Sequence, residues 1–455
     1  MTTFYIEQFG CRATQADGAA IERQLREQGY MAAAQPGDAD VVVLNTCTVT
    51  AAADAQARDA IRKIHAANPA TRIVVTGCYA QRAPEEIAAL PGVTFVVGNS
   101  HKPQIPSLLH SISSAFPQRE DPPLFHSSSI LTGDIFSTTD VLVAPVLGGE
   151  GNHTRPTLKI QDGCNSRCSF CVIPFVRGKS RSLPVATVLS EIRRLSESGF
   201  REIVLSGINL GTYGRDLTPR VELIDLVRRI LDETAVERLR LSSIEPLDVT
   251  QDLIDLFATN DRLAPHFHMP LQSASDRILA AMHRWYRAEH YARRIELIRE
   301  ALPHAAIGAD VLTGFPGESE DDHGETLRFI EGHPFTYLHV FSYSSRPGTK
   351  AAGLSQHVPG QVIKRRAREL RALADRKSSE FRQSQLGRTL RVLTLHRSAN
   401  DAPGCTPALS ENYLSVMIPE VLPHNQWRMV RATHADGKQL VGLPQSIEAM
   451  AAIGA

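Results

Sequence analysis

Three cysteines within eight residues constrain this chain more than any other feature of its sequence. Cys164, Cys168 and Cys171 follow a strand-like stretch, Thr157 to Gln161, and lie in a polar loop of Gly, Asn and Ser. Three thiolates at this spacing can hold three irons of a 4Fe–4S cluster, so the fold must bring the sulfurs together. Zinc fits less well, because it usually takes four ligands and no fourth Cys or suitably spaced His lies nearby.

A cluster held by three cysteines leaves its fourth iron without a protein ligand. S-adenosylmethionine (SAM) can chelate such an iron, and an electron from the cluster then cleaves SAM to methionine and a 5′-deoxyadenosyl radical. The C-x-x-x-C-x-x-C spacing, with Phe170 just before the last cysteine, resembles the radical SAM superfamily. The resemblance implies that Cys164, Cys168 and Cys171 are catalytic as well as metal-ligating.

The composition is that of a multidomain globular protein. With 455 residues the chain is long enough for two or three separate cores. It is 42% apolar and 22% charged, has no apolar run of membrane-spanning length and shows no secretory signal, so we expect no membrane partner and a cytoplasmic location. Seven cysteines, an odd number, argue against a disulfide framework and favour metal or redox chemistry. The 49 basic and 49 acidic residues cancel, so net charge does not indicate a nucleic-acid partner.

Residues 1–102 alternate strand-like and helix-like segments, which predicts a Rossmann-like parallel α/β domain. Cys11, Cys47 and Cys78 each follow one of the predicted strands. Loops at the carboxyl ends of parallel strands meet at one edge of a sheet, so these three thiols can converge. Each could instead be a small buried apolar residue, the common fate of a free cysteine. Three at equivalent strand ends favour a second metal site that holds another 4Fe–4S cluster.

The rest of the chain divides into three segments. Residues 103–156 are rich in Pro, Ser and Gly and are predicted to be a linker. Residues 157–384 alternate strands and amphipathic helices, which predicts a partial (β/α) radical SAM barrel with its site at the carboxyl ends of the strands. Four residues there are candidate contacts to the amino acid or ribose of SAM, or else turn and core-polar residues: Gly207, Ser243, Glu245 and Gln272.

The barrel segment ends in a basic helix, predicted at 361–383, with eight Lys and Arg residues against three acidic ones. Such a helix is either a solvated face or a surface for phosphates. Residues 385–455 contain short strand-like pieces separated by turns, which predicts a small antiparallel β-barrel. Cys405 lies in a Pro/Gly loop without cysteine neighbours and is interpreted as an incidental thiol.

Sequence motifs along the whole chain resemble the radical SAM methylthiotransferases. The match includes FGC at 9–11, NTCTVT at 45–50, TGCYAQ at 76–81, PGVTFVVG at 91–98, IQDGCNSRCSFCVIP at 160–174, RLSSIEP at 240–246, HMPLQSASD at 268–276, GFPGE at 314–318 and FSYSSRPGT at 341–349. Within that family NTCTVT, TGCYAQ and PGVTFVVG are similar to the MtaB branch, which acts on threonylcarbamoyl-adenosine beside the anticodon of tRNA. The chain departs from the family at Thr14, where Asn is usual, and at Ala274, where Gly is usual.

The resemblance implies a division of labour between two 4Fe–4S clusters. The cluster at Cys164, Cys168 and Cys171 cleaves SAM, and the N-terminal cluster carries the sulfur that replaces hydrogen at carbon 2 of the adenine. The implied partners are the tRNA anticodon loop, held in part by a TRAM-like C-terminal domain, an electron donor such as flavodoxin or ferredoxin, and a sulfur source. A cation near the barrel mouth, Arg177 or Lys179, is expected to pair with the carboxylate of the threonyl group or, alternatively, to bind a tRNA phosphate.

Other functions remain open at this point. The same chemistry could act on isopentenyl-adenosine in tRNA or on an aspartate of a ribosomal protein, although the residues after Asn45-Thr46-Cys47 disfavour both branches. A protein of another class would be a non-catalytic iron–sulfur electron carrier or an RNA-binding scaffold. A carrier normally ligates every iron with protein, whereas each site here offers only three thiolates.

Overall fold

The computed structural model describes residues 2–115, 128–139, 141–142, 145–146, 154–398 and 401–445. Two parts of the sequence predictions lie outside these residues. They are most of the Pro- and Gly-rich stretches in the predicted linker and the last ten residues of the predicted C-terminal domain. None of the described helices is long and apolar enough to cross a membrane.

The N-terminal domain is a six-stranded parallel sheet in the order β2-β1-β3-β4-β5-β6. Alternate residues of the central strands enter different cores: Val42 packs on the side of Ile61, and Val43 on the side of Ile21. Helices therefore cover both faces, as continuous apolar strands require. The elements are β1 (Thr3–Gln8), α1 (Arg12–Glu27), β2 (Met31–Ala32), β3 (Val41–Thr46), α2 (Ala51–Ala67), β4 (Arg72–Gly77), α3 (Cys78–Arg82), α4 (Pro84–Ala88), β5 (Val93–Gly98), α5 (Ile105–Ala115) and β6 (Ser129–Leu131).

Local structure occurs within the predicted linker at 103–156, where α5 and β6 belong to this first domain. Ile105 and Leu109 of α5 are buried in the N-terminal core, and β6 pairs with β5 from Phe95 opposite Ser129 onward. The three residues of β6 are too few to show periodicity in the sequence. The strand forms because it pairs with the free edge of β5.

The second domain is a partial barrel with six parallel strands. Strands β8, β10 and β11 form one sheet and β12, β13 and β14 another, and single bridges from Leu239 to Leu263 and from Ser243 to His268 join them. Its elements are β7 (Pro145–Val146), β8 (Thr157–Asp162), α6 (Ile173–Arg177), β9 (Arg181–Ser182), α7 (Val185–Glu197), β10 (Glu202–Gly207), α8 (Leu223–Glu233), β11 (Arg238–Leu241), α9 (Gln251–Thr259), β12 (His266–His268), α10 (Asp276–Ala281), α11 (Ala288–Ala301), β13 (Ala306–Thr313), α12 (Glu320–Gly332), β14 (Tyr337–Ser342) and α13 (Gly360–Gln383).

The barrel is open on one side. The free edge of β8 pairs antiparallel with the short strands β7 and β9, and within the described ranges no ladder joins β8 to β14. The carboxyl ends of the six strands lie at the same end of the domain because the strands are parallel. That end carries the loop of the cysteine triplet.

The C-terminal domain is a closed five-stranded barrel in the order β15-β16-β17-β19-β18. Four of its strand pairs are antiparallel, and the closing pair, β17 with β19, is parallel. The predicted fold class is thus confirmed, with one parallel pair in the last domain. The strands are β15 (Thr389–Thr394), β16 (Thr406–Ser410), β17 (Ser415–Ile418), β18 (Trp427–Asp436) and β19 (Gln439–Pro444).

Candidate functional site

The N-terminal cysteines lie at the carboxyl ends of three neighbouring strands. Cys11 caps the start of α1 after β1, Cys47 directly follows β3, and Cys78 is the first residue of α3 after β4. Gly10 has a φ of +103°, and a Cβ there would lie 2.4 Å from the Cys47 Cβ. Only glycine therefore lets the first loop approach Cys47 this closely.

The barrel cysteines occupy the loop after β8. The backbone N–H of Cys171 donates to the Cys168 carbonyl at 3.2 Å, and the N–H of Ser166 donates to the Cys164 sulfur at 3.4 Å. A guanidinium from a distant loop, that of Arg284, donates to the Cys168 sulfur at 3.4 Å. These contacts fold the loop into a tight turn around the three thiols.

The electrostatics of both triplets suit metal ligation. Burial, and after it the neighbouring thiols Cys78 and Cys11, raise the pKa of Cys47 to about 12. Burial also raises the pKa of Cys171 to about 12, with Cys168 next in effect. Each set of sulfurs is thus close enough to interact, and a bound metal is what would hold such buried thiols as thiolates. The donor sets fit two iron–sulfur clusters with three protein ligands each.

Residues of the barrel triplet loop and of the loop after Cys47 line one interdomain cavity of about 250 Å³. Cys171 and Gln272 line its barrel wall, while Val49 and Thr50, just after Cys47, line the opposite wall. Behind this cavity Cys78 packs against Val172 and Val176, which follow Cys171 in the chain. The N-terminal domain therefore forms part of the barrel mouth.

A second cavity, of about 640 Å³, opens beside Cys168. Glu245 and Arg284 form an ion pair on its wall. Burial raises the pKa of Glu245, and the Arg284 guanidinium opposes that rise. The sequence does not predict Arg284 as a site residue, because nothing around an isolated arginine indicates which residues it contacts across the barrel.

The four candidate SAM contacts separate into two pairs. Glu245 lines the larger cavity and Gln272 the smaller one, where Gln272 adopts a φ of 61°. Among the described residues, the lining of these two cavities does not include Gly207 or Ser243. At Gly207 a Cβ would lie 2.9 Å from the Gln161 amide oxygen, and Ser243 forms the bridge between the two sheets. The contribution of all four to SAM binding stays a prediction.

A group of polar side chains extends from the smaller cavity into the barrel. Asp310 accepts a hydrogen bond from His268 Nε2 at 3.0 Å and contacts His339 Nδ1 at 3.2 Å. Tyr337 lies 2.9 Å from the other ring nitrogen of His268. Although burial opposes ionisation, these two imidazoles hold the pKa of Asp310 well below its usual range. Asp310 therefore presents an ionised carboxylate to the cavity.

Five buried charged residues join the N-terminal domain to the barrel, and we call them the interface charge cluster. Arg177 is only 2% exposed and pairs with Asp162 and Asp17, each at 2.9 Å. The expectation that Arg177 binds a substrate carboxylate is therefore wrong, because the guanidinium is already paired with two carboxylates. Lys179 is exposed. The cluster consists of Asp17, Lys102, Lys159, Asp162 and Arg177.

Two family models match the chain. Residues 3–98 match the "Uncharacterized protein family UPF0004", and residues 158–330 match the "Radical SAM superfamily". The two matches contain the N-terminal and the barrel cysteine triplets, respectively.

Relatives of known name are similar over nearly the whole chain. A "Threonylcarbamoyladenosine tRNA methylthiotransferase MtaB" from Aquifex aeolicus is 38% identical, covering 90% of this chain and 95% of the relative. A protein of the same name from Bacillus subtilis is 37% identical, covering 86% and 85%. A "tRNA-2-methylthio-N(6)-dimethylallyladenosine synthase" from Thermobifida fusca is 36% identical, covering 86% and 77%.

The fold is similar to that of a solved radical SAM enzyme. The methyltransferase TsrM from Kitasatospora setae superposes with a TM-score of 0.56 at 15% identity, covering 77% of each chain. At this identity the likeness supports the fold alone.

Proposed function

The chain belongs to the radical SAM methylthiotransferase family, and we propose that it inserts a methylthio group at carbon 2 of threonylcarbamoyl-adenosine next to the tRNA anticodon. Two relatives that carry this substrate in their names cover 90% and 86% of the chain. A relative named for dimethylallyladenosine is nearly as similar, at 36% identity. The substrate is therefore the point that the experiment has to decide.

The observation that carries the proposal is the interdomain cavity lined by Cys171 and by Val49 and Thr50, which follow Cys47. A methylthio transfer needs a radical source and a sulfur carrier that reach the same carbon. Cys171 lines one wall of the cavity, and the residues after Cys47 line the other. A base that entered this space would be within reach of both sites, which is the arrangement that the reaction requires.

Each triplet would hold one 4Fe–4S cluster. Cys164, Cys168 and Cys171 form the barrel site, and the N-terminal site consists of Cys11, Cys47 and Cys78. When bound, the barrel cluster supplies the electron for SAM cleavage, and the N-terminal cluster supplies a site for sulfur.

The protein's own side chains would orient SAM and exclude water. Glu245 and Arg284 offer an anion and a cation beside Cys168, which match the ammonium and carboxylate groups of SAM. Gln272 offers an amide in the smaller cavity, where Phe170 and Leu312 provide apolar walls. Cys47 and Cys78 are 5% and 2% exposed, so bulk water has little access to either sulfur.

The proposed partners follow from the chemistry. An unpaired base in an anticodon loop enters a cavity at less cost than a base extracted from a duplex. Reduction of the barrel cluster calls for an electron donor such as flavodoxin or ferredoxin, and turnover calls for a sulfur source. These carriers and the tRNA set the expected location in the cytoplasm.

The test compares two tRNA substrates with purified, anaerobically reconstituted enzyme. With SAM, reductant and sulfide, we expect mass spectrometry to detect methylthio product on tRNA that carries threonylcarbamoyl-adenosine and none on tRNA that carries isopentenyl-adenosine. The opposite preference would assign the enzyme to the branch that acts on isopentenyl-adenosine. Absence of both products would refute the proposal.

Two triple alanine variants separate the roles of the triplets. Replacement of Cys164, Cys168 and Cys171 should abolish formation of 5′-deoxyadenosine. Replacement of the three N-terminal cysteines should preserve that cleavage and abolish methylthio product. Each variant should retain about four of the roughly eight irons expected from two 4Fe–4S clusters.

A further inference from the structure

Trp285 is the most exposed large apolar side chain among the described residues, at 80% exposure. It lies in the loop between α10 and α11, residues 282–287, which we call the rim loop. The neighbouring side chains point inward: Arg284 pairs with Glu245, and the Tyr286 hydroxyl donates to the Pro270 carbonyl at 2.7 Å. The indole is thus held out into solvent by a backbone that is fixed on both sides.

The rim loop borders the larger cavity at the barrel triplet. Trp285 lines the cavity opening, and Cys168 lies on the cavity wall. His283 Nδ1 lies 3.1 Å from the Arg167 carbonyl, which ties the rim loop to the loop that carries the triplet. An exposed aromatic surface therefore has a fixed position relative to the reactive centre.

Two cations without ionic partners among the described residues lie on the rim loop and on the triplet loop tied to it. Arg167 lies between Cys164 and Cys168, is exposed, and forms no ion pair within the described part of the chain. The Arg287 guanidinium donates to the carbonyls of Arg284 and Tyr286, and no carboxylate among the described residues pairs with it. The surface around Trp285 thus combines an aromatic face with two positive charges.

This combination matches single-stranded nucleic acid better than a protein partner. Proteins bind unpaired bases by stacking them on aromatic side chains and contact the adjacent phosphates with cations. A protein interface would need a broader apolar patch, whereas the cavity surface beside Trp285 carries Asn165, Arg215 and Asp216.

We propose that Trp285 stacks against an unpaired base of the tRNA anticodon loop, a base other than the one that is modified, while Arg167 and Arg287 contact neighbouring phosphates. The proposal rests on the proposed function, because it takes tRNA as the substrate. Stacking at the rim anchors the loop while the target base occupies the interdomain cavity.

Substitutions at position 285 test the stacking. Trp285→Ala should weaken binding of an anticodon stem-loop RNA by about tenfold or more, the loss expected when one base loses its aromatic partner. Trp285→Phe should retain binding within about threefold. Met31→Ala, which removes another exposed apolar side chain far along the chain, is the matched control and should bind as the wild type does.

Fluorescence gives a readout that a purely structural role would not change. The chain has two tryptophans, and in Trp427→Phe the remaining emission comes from Trp285. Stem-loop RNA should quench this emission, whereas RNA with abasic loop positions should bind through its phosphates with much less quenching. Equal quenching by both RNAs would overturn the proposal.

The remaining outcomes separate this inference from the proposed function. If wild-type enzyme modifies tRNA but Trp285→Ala binds RNA as tightly as Trp285→Phe, the stacking is refuted and the proposed function stands. If Trp285→Ala lowers the rate of SAM cleavage without RNA by the same factor as it lowers RNA affinity, the indole acts in SAM binding. The inference then fails. If wild-type enzyme neither binds nor modifies tRNA, both fail together.

Discussion

Arg284 connects a barrel cysteine to the wall of the larger cavity. Its guanidinium donates to the Cys168 sulfur and pairs with Glu245, although the two loops are 116 residues apart in the chain. A planar guanidinium can serve two partners at once because its donors point in several directions. Arg284 therefore sets both the position of one cluster ligand and the charge of the cavity wall.

Removal of the Arg284 charge should impair SAM cleavage more than folding. Arg284→Gln leaves the Glu245 carboxylate without its cation beside Cys168, so we expect 5′-deoxyadenosine formation under dithionite to fall by about tenfold or more. Arg194→Gln breaks a solvent-facing ion pair with Glu191 and is the control. Wild-type cleavage by the Arg284 variant at equal iron content would contradict this role.

Glu202 should make the stability of the barrel sensitive to acid. It is fully buried and accepts hydrogen bonds from Arg240 at 2.7 Å and Arg155 at 3.1 Å. Burial alone would raise the pKa of Glu202, but Arg240 and Arg155 lower it to about 2 from an ordinary value of 4.5. Since the folded pKa is the lower one, the stabilisation is fully present above about pH 4.5 and is lost as the pH falls toward 2.

The measurement for Glu202 is the free energy of unfolding as a function of pH. Glu202→Gln should be less stable than the wild type at pH 7, and its stability should fall less between about pH 4.5 and 2. Parallel curves for the two proteins would show that Glu202 does not supply the acid dependence.

At the residue scale, the sequence predicts the chemistry of single side chains but not which residues they contact. The sequence predicts six cysteine ligands from their positions at strand ends and in one loop, which are local properties, and these roles stay predictions, as do the SAM contacts Glu245 and Gln272. Arg284 and Trp285 were not predicted as site residues, since their roles depend on which distant loop they meet and on exposure. Arg177 was misassigned for the same reason: its two carboxylate partners are 15 and 160 residues away in the chain.

At the scale of elements, the basic residues of α13 divide between ion pairs to the barrel and an exposed face. Arg366 is buried against Glu318, Arg365 pairs with Glu320, and Arg376 pairs with Glu331. Much of the positive charge thus attaches the helix to the barrel rather than facing a partner. Three cations remain exposed and form no ion pair within the described ranges: Lys364, Arg368 and Arg371.

The three remaining cations predict where α13 would contact tRNA. Their spacing of four and three residues places them on one helix face. Reversal of all three to Glu should weaken tRNA binding and lower the slope of log affinity against log salt by about one for each lost phosphate contact. Arg365→Glu together with Arg376→Glu is the matched control and should reduce thermal stability with little change in that slope. Equal slopes for wild type and triple variant would mean that this face is only solvated.

Elements with a strong internal pattern were predicted well. The sequence predicts a helix at Ala288 to Ala301 and strands at Trp427 to Asp436 and Gln439 to Pro444, and the structure has these elements with the same bounds. Strand β16 was not predicted, because its five residues begin with Thr-Pro and show no alternation. A short strand depends on its neighbours for pairing, and β16 pairs with β15 and β17.

At the scale of the molecule, the interface charge cluster determines how the first domain sits on the barrel. Asp17 of α1 pairs with Lys102, Lys159 and Arg177, all buried. Asp17→Ala should lower the free energy of unfolding by about 3 to 5 kcal/mol, because it leaves buried cations without their partner. Asp59→Ala, at an exposed ion pair with Arg62, is the control and should change stability by less than about 1 kcal/mol.

The same Asp17 variant also tests the shared cavity. If the two domains must stay docked for sulfur to reach the base, folded Asp17→Ala enzyme should cleave SAM while its yield of methylthio product falls. A yield of methylthio product equal to that of the wild type would show that the two domains stay docked without the interface charge cluster.

The unequal exposure of the N-terminal thiols sets a direction for maturation of the enzyme. Cys11 is exposed, whereas Cys47 and Cys78 are buried, and Cys78 packs against Val172 and Val176 of the barrel domain. If these three thiols hold the N-terminal cluster, a scaffold that delivers a preformed cluster would meet Cys11 first. An alkylating reagent added to the cluster-free protein should accordingly label Cys11 rapidly and the two inner thiols only on the timescale of domain opening.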